Sequence, residues 1–227
     1  MNRVSCRGLS LLAMGLAALM APGLMNSEIR AWGADEADPS LGSVTGQFVL
    51  EGDVPATMLL VRKGDTTVKD DAICAAADIP NEALVVDPAT KGIANVFVYL
   101  EKAPSSLPAK LKTSTEKSVV FDQKGCRFVP HALVVRNDQF VNVKSDDDCA
   151  HNTHTFPIRT GGINFALLPK SRDGINVPQK VTEKLPFEVK CDIHSWMKAY
   201  WLVLDHPYAA VTDAQGKFTI KDLPPGE

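Results

Sequence analysis

The segment Cys191-Asp192-Ile193-His194-Ser195-Trp196-Met197 joins two runs of strand-forming residues, Phe187-Glu188-Val189-Lys190 and Ala199-Tyr200-Trp201-Leu202-Val203-Leu204. Strands joined by so short a connection are expected to lie side by side, so the connection closes one end of a sheet. It also carries a thiol, an imidazole and a thioether. His151 stands forty residues upstream, in Cys149-Ala150-His151-Asn152-Thr153-His154. One thiolate, two imidazoles and a weakly held thioether suit copper in a plane of two histidines and a cysteine with a long axial methionine, the donor set of an electron-transfer site. The expected ligands of a single copper ion are therefore His151, Cys191, His194 and Met197. His151 is expected to follow the strand Phe140–Val143 and so to reach the same end of the structure.

Other chemistries fit these residues less well. Structural zinc uses Cys and His but rarely Met. A nucleophilic Cys–His pair would leave Met197 without a role, and no oxyanion-hole signal accompanies it. Multicopper oxidases need paired His-x-His motifs, and none occurs in the chain. A carrier rather than an enzyme is expected; a copper-binding or interaction module without electron transfer is the alternative. His154 competes with His151, but residues three apart are too close for both to join one trigonal plane. His151 is preferred because it directly follows the strand and because Asn152 can anchor the loop by backbone hydrogen bonds. His154 is expected on the following strand, His131 in a structural role, and His206 in a turn. Asp146-Asp147-Asp148 reads as a solvated turn, and Trp196 and Trp201 as packing residues, Trp196 being inside the ligand loop where it can also shield the metal.

Most of the chain reads as strand and turn. Val44–Leu50, Ala83–Val86, Ile93–Leu100, Ser118–Phe121, Ala132–Val135 and Gln139–Val143 are rich in β-branched and aromatic residues and are separated by turn residues. A short helix is expected only within Thr67–Ala77. Many short strands with frequent turns predict an all-β, Greek-key β-sandwich. The expected organisation is a leader at 1–34, a linker at 35–42, a β-rich N-terminal extension at 43–127, the copper-binding core at 128–205, and a further β segment at 206–227 that looks cut short.

The leader has Arg3 and Arg7 before an apolar run from Leu9 to Met25, broken by Pro22 and Gly23, and small residues at Ala31–Ala34. That pattern is an export signal, which predicts a periplasmic or secreted protein with no membrane span after cleavage. The leader carries three arginines and one glutamate, so its removal moves the formal charge from −3 to −5. A mildly acidic chain argues against nucleic acid and permits a redox-protein donor or acceptor. Cys74, Cys126, Cys149 and Cys191 remain. With Cys191 as a ligand, one disulfide and one spare thiol are expected, and Cys74–Cys126 is favoured over Cys126–Cys149.

The residues resemble the cupredoxins, in particular the amicyanin and plastocyanin group. Cys191-x₂-His194-x₂-Met197 is similar to the short ligand loop of amicyanin; plastocyanins have a longer gap before Met. His151-Asn152-Thr153-His154 is similar to the His-Asn-x-His segment that supplies the first histidine ligand. The resemblance covers residues 128–205. It implies a Greek-key sandwich, one type 1 copper at one end, and single-electron transfer. The long 43–127 segment and Cys149 beside His151 depart from the pattern. Gly216-Lys217-Phe218-Thr219-Ile220 with Pro225-Gly226 resembles the start of a carboxypeptidase-regulatory-like segment, a piece joined to cupredoxins in methylamine-utilisation-type exported proteins.

Overall fold

The structure, a computed structural model, describes residues 40–226. The expected leader at 1–34 and most of the linker lie outside the described residues. Among the described residues, no helix is long and apolar enough to cross a membrane. The first strands are β1 (Gly42–Gln47), β2 (Leu59–Val61), β3 (Ile79–Pro80) and β4 (Phe97–Tyr99). They are followed by β5 (Ser118–Gln123), β6 (Phe128–Val129), β7 (Ala132–Arg136) and β8 (Phe140–Ser145). Then come β9 (His151–Thr155), β10 (Asn164–Leu167), β11 (Ile175–Pro178) and β12 (Phe187–Lys190). The last are β13 (Lys198–Leu204), β14 (Ala209–Val211) and β15 (Lys217–Leu223). One short helix, α1 (Asp71–Cys74), lies between β2 and β3.

The strands build the all-β sandwich that the sequence predicts. One sheet runs β10-β9-β12-β13-β7 and the other β11-β8-β5-β6. The chain passes repeatedly between them, so neighbours such as β5 and β8, or β7 and β13, are parallel. Inward-facing residues from both sheets form one core. Phe121 of β5 stacks on Phe128 with ring centroids 5.0 Å apart and meets Trp201 of β13 edge-on at 5.0 Å. All three rings are buried. Each such aromatic pair adds about 0.5–1.5 kcal/mol beyond the area it buries. Strands β5 and β6 come from the segment 118–129, so residues before 128 help to build the sandwich.

The expected strand at Ile93–Leu100 shrinks to β4. Asn95 adopts a left-handed backbone (φ 64°), which interrupts an extended run. Ala83–Val86 contributes only a bridge from Val86 to Ile93. The C-terminal segment returns to the N-terminal one: β15 pairs with β1 and β14 with β4. Asp213 to Gly216 forms the expected turn, closed by the Gly216 N–H donating to the Asp213 carbonyl at 2.9 Å. Gly216 is required there twice over. Its φ is +76°, and a Cβ would fall 2.2 Å from the Phe48 carbonyl oxygen.

Residues 59–80 lie over one end of the sandwich. β2 and β3 pair, and α1 sits in the loop between them. Val61, Cys74, Ala75 and Ile79 are buried in the same core cluster as Cys149, Cys191 and Met197. A Cys74–Cys126 disulfide fastens this cap to the loop between β5 and β6, the pairing favoured from sequence. The bridge spans 52 residues, and closing a loop of that size removes about 4 kcal/mol of unfolded-chain entropy. The double substitution Cys74→Ala, Cys126→Ala is therefore expected to lower unfolding free energy by about 4 kcal/mol, read from urea denaturation of the metal-free protein.

Candidate metal centre

β12 and β13 are antiparallel neighbours, with Val189 opposite Ala199 and Lys190 opposite Lys198. The Cys191–Met197 segment is thus the closed loop that its flanks predict. The Cys191 N–H donates to the Met197 carbonyl at 3.2 Å, and the Met197 N–H to the His194 carbonyl at 3.0 Å. The loop folds back on its own cysteine. Cys191, His194 and Met197 are all buried.

His151 opens β9, next to β12 in the same sheet. Side chains alternate along a strand, which separates the two candidate histidines. His151 and Thr153 face inward. Asn152 and His154 lie on the other face, where both meet Asp192: Asn152 Nδ2 donates to its Oδ2 at 3.0 Å, and His154 Nδ1 lies 2.9 Å from the same oxygen. His154 is part-exposed and packs on Phe156 with centroids 4.2 Å apart. The structure brings His151, Cys191 and His194 together and leaves His154 outside. Asn152 anchors the ligand loop through its side chain. Its Oδ1 accepts the Asp192 N–H at 2.7 Å and the Ile193 N–H at 3.4 Å, and lies 3.2 Å from the Cys191 sulfur.

The two imidazoles face one another through Nδ1, 3.0 Å apart. His194 Nδ1 lies 3.9 Å from Cys191 Sγ. Each outer nitrogen meets a carboxylate. His151 Nε2 is 2.9 Å from Asp147 Oδ2, and His194 Nε2 is 3.0 Å from Asp70 Oδ2. A carboxylate only accepts, so each Nε2 carries the proton. In neutral rings both Nδ1 atoms then present lone pairs. Two lone pairs at this separation need a cation between them, either a proton or a metal ion. Metal bonds of about 2.0 Å to nitrogen and 2.3 Å to sulfur put neighbouring donors roughly 3.3–3.7 Å apart. The observed spacings bracket that range, so the donor set fits a soft transition metal.

The electrostatics agree. Burial alone would push the Cys191 thiol up, but the His151 and His194 imidazoles outweigh it and hold it at about 6. Burial also disfavours a charged His151, yet the Asp147 carboxylate and the Cys191 sulfur raise it to about 9. Cys149, the spare thiol, behaves oppositely: burial, then the Asp147 and Asp70 charges, push it up to about 11. It stays protonated 3.6 Å from His151 Nε2, on the side of the ring away from Nδ1. Among the described residues, the groups whose donor atoms all lie within 4.8 Å of one another are Cys149 with His151 and His194, Cys126 with Asp147 and His151, and Cys74 with Cys126 and Cys149. The last two spend sulfurs already joined in the disulfide.

Two carboxylates, Asp147 and Asp70, stand against the site. The run 146–148 was expected to be a solvated turn, but Asp147 is buried. Besides His151 it accepts the Gly125 N–H at 2.6 Å and the Cys126 N–H at 2.8 Å. Asp70 comes from the cap, 124 positions from His194. Its backbone is left-handed (φ 56°), a conformation that Asp tolerates. His206 lies in the bend after β13, as expected of a turn residue, and is buried there, its Nδ1 accepting the Tyr208 N–H at 3.2 Å. His131 is away from the centre, 3.8 Å from Glu82 and edge-on to Tyr200. Trp196 lies against the site, its ring 5.3 Å from His194 and its Nε1 donating to the Cys126 carbonyl at 3.2 Å.

No protein-family model matches the sequence, and no curated protein sequence matches it. Among solved structures, the chain is similar to a Cu-containing nitrite reductase from Thermus scotoductus SA-01. The identity is 20%, over 44% of this chain and 25% of that one, with a TM-score of 0.32. It is also similar to a reduced mutant of amicyanin, with 15% identity over 40% of this chain and 85% of that one and a TM-score of 0.33. The chain thus spans a quarter of the nitrite reductase's length.

Asn152→Ala removes the acceptor that holds the ligand loop to β9 and leaves two loop amides without it. An unfolding free energy lower by about 0.5–1.5 kcal/mol for each of these part-buried hydrogen bonds is expected, measured by urea titration of the metal-free protein.

Proposed function

We propose that the protein is an exported carrier of single electrons that holds one copper ion through His151, Cys191 and His194, with Met197 as a weak fourth ligand. The observation that carries this reading is the convergence of two Nδ1 atoms and one low-lying thiol, with both Nε2 atoms already engaged. When bound there, copper would supply one-electron exchange between its two common oxidation states. The chain's own part is to hold both rings and the sulfur in place in either state. The sandwich fixes His151 through β9, the β12–β13 pair fixes the Cys191 loop, and Asn152 joins the two. Little then has to move when an electron arrives or leaves. The buried disulfide supports an oxidising, exported location. The expected partners are redox proteins.

The complete burial of both imidazoles favours a second reading, a protein that holds copper without passing electrons. Reversible reduction and reoxidation with a small redox protein separates the two.

The first test is optical. The protein loaded with one equivalent of Cu(II) is expected to absorb intensely in the red from thiolate charge transfer. Cys191→Ala and His151→Ala should each abolish the band, and His154→Ala should leave it largely intact. A colourless complex, or a band lost in His154→Ala and kept in His151→Ala, would contradict the assignment.

Met197 is expected to tune the ion more than to hold it, because an axial thioether is a long, weak bond. Met197→Leu should keep copper and colour and raise the reduction potential; Met197→Gln should lower it. Voltammetry of the three proteins gives the order Leu above Met above Gln if Met197 is the axial ligand. Copper loss in Met197→Leu would refute that role.

A further inference from the structure

We propose that Asp70 is a positioning residue of the metal centre: its carboxylate, delivered by the cap, fixes His194 as an Nδ1 donor. The proposal rests on reading His194 as a ligand. Asp70 occupies the N-cap position of α1, where an Asp side chain normally accepts a helix N–H. Here it makes no such bond. Its Oδ2 instead lies 3.0 Å from His194 Nε2. The residue also holds a left-handed backbone, φ 56° and ψ 40°, which a non-glycine residue adopts at a cost and which clusters at functional positions. An Asp at a helix N-cap whose side chain leaves the helix amides unbonded and sets its carboxylate on a buried imidazole is placed for that imidazole.

Asp147 does the same for His151, and the two carboxylates are mechanically connected. Asp70 sits four residues before Cys74, and its carbonyl accepts the Cys74 N–H at 2.9 Å. Cys74 is bonded to Cys126, whose own N–H donates to Asp147 at 2.8 Å. One continuous path therefore runs from His194 through Asp70, α1, the disulfide and Asp147 to His151. The disulfide ties the cap to the loop that orients the other ring. The two carboxylates differ in exposure. The Asp147 side chain is nearly buried, whereas the Asp70 side chain is 32% exposed and 3.8 Å from the exposed Lys69 ammonium. Asp70 thus links a fully buried imidazole to the surface.

A carboxylate on the outer nitrogen of a ligand histidine sets the tautomer and makes the ring a stronger donor, and its loss costs about 10–100-fold in metal affinity. The added negative charge favours Cu(II) over Cu(I). Asp70→Asn keeps an acceptor and tolerates the αL backbone while removing the charge. Asp70→Ala removes both. Asp71→Asn, on the exposed neighbour, serves as the control.

Two measurements test the proposal. Long-range ¹⁵N–¹H NMR of the metal-free protein reads the His194 tautomer without copper. The expected result is protonated Nε2 in the wild type, Asp70→Asn and Asp71→Asn, with that preference lost in Asp70→Ala. In the copper-loaded proteins, Cu(II) affinity is expected to fall at least tenfold in Asp70→Ala, less in Asp70→Asn, and not in Asp71→Asn. If Cu(I) affinity is unchanged, a tenfold loss raises the potential by about 59 mV for one electron. An unchanged tautomer with an unchanged potential in Asp70→Ala would overturn the proposal, leaving Asp70 a part of the cap only. A wild type that shows the tautomer lock but takes up no copper would support Asp70 as the orienting group and contradict the copper reading alone.

Discussion

Two protons on two imidazoles govern this end of the molecule. Because Asp70 and Asp147 each occupy an Nε2, His151 and His194 must turn Nδ1 inward, toward each other and toward Cys191. Neutral rings so placed repel unless a cation lies between them. A proton fills that need in the metal-free protein, where, despite burial, the Asp147 carboxylate and the Cys191 sulfur raise His151 to about 9. A metal ion would displace that proton and meet the same three donors.

The sandwich supplies this arrangement in layers. β9 and β12 place one histidine and the cysteine loop side by side in one sheet. The Phe121–Trp201 contact locks that sheet to its partner. The cap then closes the end, burying Cys74 and Ala75 in the core cluster that holds Cys191 and Met197. Residues 59–80, which have no evident purpose as sequence, thereby remove His194 from solvent and supply its outer partner.

Much of the centre was legible because its signals are local. The seven residues from Cys191 to Met197 and their flanking strands predict a closed loop with three donors, and the three-residue spacing of His151 and His154 leaves room for only one of them in the plane. The carboxylates were not legible. Asp70 is 124 positions from the imidazole it meets, and a disulfide brings it there. Asp147 sits between two solvated aspartates and looks like them; burial came from the Gly125 and Cys126 amides that converge on it. Strand β9 reads as polar, His-Asn-Thr-His-Thr, yet four of its five residues are buried, because the site and its hydrogen bonds replace the apolar contacts a core strand normally makes. In the other direction, Ile93–Leu100 looks like one long strand, but the left-handed Asn95 limits the strand to three residues and leaves Ile93 a single bridge.

Copper K-edge X-ray absorption on the loaded protein tests most directly whether the three converging donors form the metal centre. One short sulfur and two imidazole nitrogens around the ion are expected, with the sulfur lost in Cys191→Ala and kept in Cys149→Ala. A shell of nitrogen and oxygen alone, or a sulfur that disappears with Cys149 rather than Cys191, would contradict it.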